Sequence, residues 1–528
     1  MGDGNWMDAE EAIRSDANAY VAWALKDHNI RKPRSWKIIQ DVLGGPSRFE
    51  PWEIAIIDTP LVQRLRRIGQ TGLSSLLYPS AHATRFEHSL GVAVETAKIM
   101  GALNAWAQSE GVDAPFPPEV RDFVRAAALL HDVGHGPFSH SSEYLWLSQS
   151  REVYELTRND DSPYRDRRPH EVLSAFIVES PRMAEFFKEL EEKCGVAISP
   201  GNVAKMVLNL PGNAADAYVY QVVNGPFDAD KLDYIRRDSY VTGLQMALEV
   251  DRLIHSLQRA NIGDQNAPHN VIAVSTGGVH ALQQILFSKM LLTSALYHHH
   301  KVRAIESMIS AAFRAETGKN DNIFGKQPLT SPVHYLYLDD VRVLAAPRGA
   351  GLADGLVRDV LDRRLVKRAL TVSRETLENA EDDIHYDDLA NRMMNSSDER
   401  DGLSQSICAE LAARGVNLNK EQRARVLVDF PVPPSFSEAV QTFVLRENGQ
   451  LTRLEDFFSL DSWVAAYREF FYCGRVFGPE THQCEVGVAA RRVLARDYNV
   501  SLSPMACDTC KYGKNWEEIH DSWYPVGG

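Results

Sequence analysis

The run LLHDVGHGPFSH at 129–140 constrains this chain more than any other stretch. It closes a segment whose apolar positions Val120, Phe123, Val124, Ala127 and Leu130 recur at helical spacing, and Gly134, Gly136 and Pro137 then stop the helix. Neighbouring residues on a helix point about 100° apart, so His131 and Asp132 can serve one ion only from an edge that faces a cavity. The abrupt break supplies that edge. An imidazole beside a carboxylate suits a divalent cation such as Zn, Fe, Mn or Co.

One such pair is too few ligands, and the sequence offers more. Upstream, TRFEHSLGVAVETAKIM places His88 on a helix whose apolar face runs Phe86, Leu90, Ala93, Ala97 and Met100. Downstream, FDADKLDYIRRDSYVTG sets Asp230, Asp233, Tyr234, Arg237 and Asp238 on one stripe, opposite Leu232 and Ile235. Taken singly, His88 reads as a hydrogen-bonded histidine and the stripe as a solvated face with internal ion pairs. In the order H…HD…D, on helices that can present ligands, they read as one metal site.

A chain of 528 residues exceeds what a single core normally sustains. Residues 1–45 read as a helical lead-in with a basic connector at 31–37, residues 46–347 as a helical core, and 348–528 as a mixed α+β accessory or oligomerisation region. The expected class is mostly α. Strands are expected at Asn270–Ser275 and Arg425–Phe430, and the polar stretch Asn395–Gly402 reads as a mobile loop. The net charge of −14 argues against sequence-independent nucleic-acid binding. Six cysteines without regular spacing fit a reducing compartment, and with no signal-like start and no long apolar run the reading is cytoplasmic, without membrane insertion. Cys507 and Cys510, with Cys473, Cys484 and His482, read as free thiols rather than a zinc knot, and the triplet His298, His299, His300 cannot readily converge on one ion.

The residues resemble the HD-domain deoxynucleoside triphosphate triphosphohydrolases, a family that includes a vertebrate SAM-and-HD-domain enzyme and bacterial dGTP triphosphohydrolases. The likeness runs from Ile57 to Phe313 through Gln63 to Arg66, Gln70, Thr84 to Ser89, His131 to His140, His170-Glu171, Asp228 to Asp238 and His300 to Val302. It implies an HD helical core with His88, His131, Asp132 and Asp230 as ligands of a divalent ion (Zn, Fe, Mn, Co or Mg). It further implies Arg85, Lys231, Tyr234, His135 and His140 facing phosphate, His170 as a further site histidine, Gln70 facing sugar or base, and Asp238 facing the 3′-hydroxyl. Departures fall at Met290, where relatives place a phosphate-binding Arg, and at Thr71 and His298, the latter aligned with a residue that crowds the sugar.

The implied reaction is metal-dependent hydrolysis of dNTPs to deoxynucleoside and inorganic triphosphate, serving nucleotide-pool control or antiviral or antiphage defence. A histidine near neutral pKa, His140 or His135, suits protonation of the leaving 5′-oxygen, with His170 beside them. By the same resemblance the chain assembles as a homo-oligomer, a tetramer or hexamer, and takes a nucleotide effector. Two rival readings remain open: an HD-type 5′-nucleotidase or phosphodiesterase acting on a signalling nucleotide, and a nucleotide sensor that hydrolyses nothing.

Overall fold

The computed structural model describes residues 6–31, 35–264, 267–346, 349, 351–379, 383–433, 436, 440–470 and 472–510. Residues 511–528 and the side chain of Cys510 lie outside this set. The chain divides into two compact units, each assembled from separate stretches: 1–292 with 330–343 and 435–460, and 293–329 with 344–434 and 461–528. Helices dominate. Nine strands accompany them among the described residues: β1 Lys37–Asp41, β2 Gly45–Phe49, β3 Leu257–Asn261, β4 Asn270–Ser275, β5 Lys367–Val372, β6 Leu427–Asp429, β7 Phe443–Leu445, β8 Leu451–Arg453 and β9 Gly474–Gly478.

The first unit is built around three packed helices, Arg85–Glu110, Pro118–Leu130 and Ala229–Thr242, with Arg85–Glu110 lying against both others. Each has a local reason to start and stop where it does. Thr84 caps the first by accepting from the Glu87 amide while the Glu87 carboxylate accepts from the Thr84 amide, and Gly111 ends it in the left-handed region at φ 68°. Pro118 opens the second at a position where no amide is needed, and His131 is its C-cap. Asp228 caps the third through the Lys231 amide, and Gly243 closes it. Both ends of the sequence that carry His131 and Asp230 are therefore helix termini, where side chains can leave the helix surface and face a cavity.

The same unit holds a sheet of order β3-β4-β7-β8, in which β4 pairs in parallel with β7 at Val274 and Val444, 170 residues later in the chain. The expected strand at Asn270–Ser275 is present with those bounds, and β3 joins it in a stretch that reads as helical in sequence. The connector region near 31–45 is not a plain linker. It contains the antiparallel β1–β2 hairpin, with Lys37 opposite Phe49. The Asp41 carboxylate accepts from the Leu43 and Gly44 amides, so the hairpin turn is Val42–Gly44, and Gly45, at φ 65°, and Pro46 already pair in β2.

In the second unit a sheet of order β5-β9-β6 is antiparallel throughout and includes the strand expected around Arg425–Phe430, shortened to Leu427–Asp429. Leu370, Val372, Leu389, Leu403, Ile407, Val476, Val486 and Val493 fill its core, with Cys484 and Cys507 buried among them as free thiols. The stretch Asn395–Gly402 is not a loop. Ser397–Ala413 is a helix, capped by the Ser396 hydroxyl accepting from the Glu399 amide, and Arg400 is buried and donates to the Met393 carbonyl. Its polarity is that of a helix start, where Ser, Asp and Glu are favoured. No helix of the described residues is long and apolar enough to cross a membrane.

Candidate metal centre

His88, His131 and Asp132 come together so that one ligand atom from each lies within 4.8 Å of the others. His88 is one turn into its helix and fully enclosed; His131 and Asp132 stand where the second helix breaks. Asp230, from the first turn of the third helix, brings its Oδ1 to 3.0 Å from His88 Nε2 and is the most exposed member, at 28%. Of the four residues expected from the sequence to surround one ion, His88, His131 and Asp132 come together, and Asp230 approaches them at His88.

The outer nitrogens of the two histidines are already committed. His88 Nδ1 donates to Asp233 Oδ2 at 2.8 Å, and His131 Nδ1 donates to the Ala128 carbonyl at 2.7 Å. Such bonds fix the tautomer and aim a lone pair from Nε2 inward. Both Nε2 atoms are buried and make no hydrogen bond. Orphaned, inward-facing imidazole nitrogens beside carboxylates are the donor set a divalent cation requires, so the residues present fit a metal ion.

Electrostatics agrees. Burial opposes a charge on His88, but Asp230, Asp233 and Asp132 outweigh it and raise the imidazolium to about 10. Burial likewise works against the Asp132 anion, yet Arg85 and the neighbouring histidines hold it well below the usual carboxylate range. The pocket is a surplus of negative charge that a cation balances.

Behind Asp233 the network continues outward. Arg237, 1% exposed, donates from Nε and Nη2 to the two Asp233 oxygens at 2.8 and 2.9 Å, and from Nη1 to Asp41 Oδ1 of the hairpin at 2.9 Å. The polar stripe of the third helix is therefore not a solvated face: Asp233, Arg237 and Asp238 are all buried. Asp233, held by Arg237, braces the far side of the His88 ring at Nδ1, a role the sequence stripe contained but did not assign.

A second cluster lies next to the first. His135, His140, Glu143 and His170 also satisfy the spacing for an ion, but Glu143 Oε1 already accepts from His140 Nδ1 at 2.8 Å and His170 Nδ1 at 2.9 Å. His135 stacks on His170 with ring centroids 3.9 Å apart, and its Nε2 lies 3.4 Å from Asp132 Oδ1. Burial first, then Arg85, depress the His135 pKa far below its ordinary value, so it stays neutral. Burial also opposes charge on His170, but Glu143 overcomes it and raises that histidine. His140 is open to solvent, its side chain 56% exposed, whereas His135 is sealed. Of the two expected proton donors, His140 is the solvent-facing one and His135 the enclosed one. Glu143 escaped the sequence reading; its i+3 spacing from His140 on a helix start was the available signal.

The remaining expected residues are placed as follows. Arg85 is buried, with Nη1 on Asp132 Oδ2 at 2.8 Å and Nε on Ser139 Oγ at 2.9 Å. Lys231 Nζ donates to Asp228 Oδ2 at 2.6 Å and to the Gly225 carbonyl at 2.9 Å. Gln70 is 7% exposed and its Oε1 is buried without a hydrogen-bond partner. Tyr234 and Asp238 share the third helix with Asp230. His298 belongs to the second unit, where its backbone carbonyl accepts from Arg475 Nη2 at 3.0 Å.

Comparison with known proteins places these residues in a family context. A model of the HD domain matches residues 85–195, and a model of the HD associated region matches 248–501. An uncharacterized protein of Methanocaldococcus jannaschii is 30% identical over 340 residues, covering 64% of this chain and 60% of that one. The Dictyostelium discoideum homolog of the deoxynucleoside triphosphate triphosphohydrolase SAMHD1 is 27% identical, covering 60% of this chain and 55% of its own length. SAMHD1 of Bos taurus is 28% identical over 52% of this chain and 47% of its own. The matches span roughly half to three-fifths of these relatives. In fold, the chain is similar to a phosphohydrolase of Bacteroides thetaiotaomicron (TM-score 0.58, 20% identity, 84% of this chain and 100% of that one) and a hypothetical protein of Aquifex aeolicus (TM-score 0.59, 22% identity, 86% and 99%). The HD motif of that domain is His131-Asp132, the centre of the cluster described above, and the chain is an HD-domain protein with an HD-associated region.

Proposed function

We propose that this chain is a metal-dependent phosphohydrolase that cleaves dNTPs to deoxynucleoside and inorganic triphosphate. The observation that carries the reading is the pair of buried, hydrogen-bond-free Nε2 atoms of His88 and His131 beside Asp132, with the Glu143-anchored histidines next door. The similarity to SAMHD1 relatives supports the choice of dNTP and triphosphate over other HD substrates.

His88, His131, Asp132 and Asp230 would hold the ion, which supplies an activated water and polarises a phosphoryl oxygen. The protein's own groups do the rest. Arg85 keeps Asp132 ionised and oriented. His140, solvent-facing and fixed at Nδ1 by Glu143, gives a proton from Nε2 to the departing 5′-oxygen from its imidazolium form, which burial disfavours and Glu143 favours, and His170 shares the Glu143 anchor. Lys231 and Tyr234 line the polyphosphate, with Lys231 exchanging its Asp228 contact for phosphate. Gln70 offers its unpaired Oε1 to a donor on sugar or base, and Asp238 takes the 3′-hydroxyl. Homo-oligomerisation and a nucleotide effector accompany the proposal.

Purified protein given each dNTP and NTP, singly and mixed, with Mg, Mn or Co, tests it by ion-exchange separation of products. Deoxynucleoside plus triphosphate, abolished by Asp132→Ala, is the expected result. Monophosphate or orthophosphate would replace the proposal with a nucleotidase or phosphodiesterase, and metal-dependent binding without turnover in any mixture would make the chain a sensor.

A further inference from the structure

Beside the metal cluster the chain makes an uncommon turn. Phe138 and Ser139 take φ 59° and 57°, two consecutive non-glycine residues in the left-handed region, a conformation that surrounding contacts must sustain. The turn joins His135 to His140 and presses on a second segment, Gly69 to Gly72. A Cβ placed on Gly72, itself at φ 55°, would sit 2.8 Å from the Phe138 carbonyl oxygen. Ser139 Oγ donates to the Gly69 carbonyl at 2.6 Å while accepting from Arg85 Nε.

Asp340, far along the chain but in the same compact unit, bridges the two segments with one carboxylate. Its Oδ2 accepts from the Gly69 amide at 2.8 Å and its Oδ1 from the Phe138 amide at 2.6 Å. Each anchored amide lies next to a residue that carries the site: Gly69 precedes Gln70, and Phe138 precedes Ser139 and His140.

We propose that Asp340 is a positioning residue, its carboxylate clamping the Gly69-Gln70 segment to the Phe138-Ser139 turn and thereby setting where Gln70 and His140 stand toward bound nucleotide. The inference rests on the dNTP reading above for the identity of that nucleotide. Burial raises the Asp340 carboxyl to about 7, with Asp339 adding to it and the two amides and Arg64 opposing, so the group is costly to keep in place. A neutral or apolar side chain would pack there more cheaply; two simultaneous backbone acceptors are what the carboxylate provides. Asp340 makes no hydrogen bond or ion pair with His88, His131, Asp132 or Asp230, which separates its effect from metal binding.

The test is Asp340→Asn in the full chain, which keeps one accepting oxygen and the side-chain shape. The probe is the α-thio analogue of dGTP with Mn, its affinity measured by calorimetry. Metal content should equal wild type, amide exchange at peptides containing Gly69 and Phe138 should quicken, and the analogue should bind about 10–100-fold more weakly, the penalty of misplacing groups by about an ångström. Asp340→Ala, which removes both acceptors, should exceed that loss. Wild-type affinity and exchange in Asp340→Asn would overturn the clamp, as would loss of metal in step with nucleotide, which marks a general structural defect. Should wild type bind metal but no deoxynucleotide, the dNTP reading falls and exchange alone decides: quickened at both peptides in Asp340→Asn sustains the clamp, unchanged refutes it.

Discussion

Gly91→Ala should uncouple His88, a proposed metal ligand, from its support Asp233 without replacing either residue. Gly91 sits in the Arg85–Glu110 helix where that helix meets Ala229–Thr242, and a Cβ there would lie 1.9 Å from Asp233 Oδ1, 2.6 Å from Asp233 Cγ and 2.4 Å from Arg237 Nη2. Ordinary contact begins at 3.4 Å, so the carboxylate must retreat by about 1.5 Å or the helices must part. Either movement breaks the 2.8 Å bond from His88 Nδ1 to Asp233 Oδ2, which fixes the tautomer that presents Nε2. Loss of such an outer partner weakens metal binding by about 10–100-fold, equivalent to about 1.4–2.7 kcal/mol. Overpacking costs about 1–3 kcal/mol of stability, of which the better helix propensity of Ala returns about 1 kcal/mol. The control is Gly101→Ala on the same helix, where nothing lies within 4 Å of the new Cβ; it should stabilise by up to about 1 kcal/mol with metal affinity unchanged. Calorimetric titration of metal-stripped protein with Mn, alongside urea unfolding, gives both quantities. Wild-type metal affinity in Gly91→Ala would show that Asp233 does not govern His88.

Further outcomes follow from the same geometry. Glu143→Gln should retain the metal at His88, His131 and Asp132 while lowering turnover by about 10²-fold, because His140 and His170 lose their shared anion; unchanged kcat would remove Glu143 from the chemistry. Asp41→Asn, which leaves Arg237 on Asp233 but replaces its anionic hairpin partner with a neutral amide, should weaken metal binding by a smaller factor than Gly91→Ala, measured by the same titration. In the second unit, burial first and then Arg303 and Arg475 lower His298 to about 3. A histidine depressed in the fold contributes stability that is present above its unfolded pKa of about 6.5 and is lost as pH falls toward the folded value, so lowering pH to about 5 should cost about 2 kcal/mol. His298→Asn should flatten that part of the pH profile in urea unfolding, and an unaltered slope would place the acid sensitivity elsewhere.

Much of the candidate site was legible because the residues proposed as ligands lie at helix ends that sequence marks plainly. Thr84 with Glu87, the Gly134 to Pro137 break, and Asp228 ahead of Lys231 are local signals, and a helix terminus is where a side chain can turn into a cavity. The strand at Asn270–Ser275 was equally readable from its β-branched run. The hairpin at 37–49 was not, because short polar strands are stabilised by pairing with each other rather than by a pattern of their own, and a capped polar helix start at Ser397 looks the same as a loop until its amides find the Ser396 hydroxyl.

Sequence alone determined which chemistry the chain can hold: a histidine, a His-Asp pair and an aspartate on helices, in an order that implies one divalent ion. Only tertiary structure decided how each group is held and which way it faces. Whether a buried imidazole presents Nε2 or Nδ1 depends on a carboxylate 145 residues away, which of two histidines meets solvent depends on a left-handed turn, and that turn is held by Asp340, 202 residues from the amide it binds. Hydrogen bonds of this kind act through space at under 3 Å and leave no periodic trace along the chain.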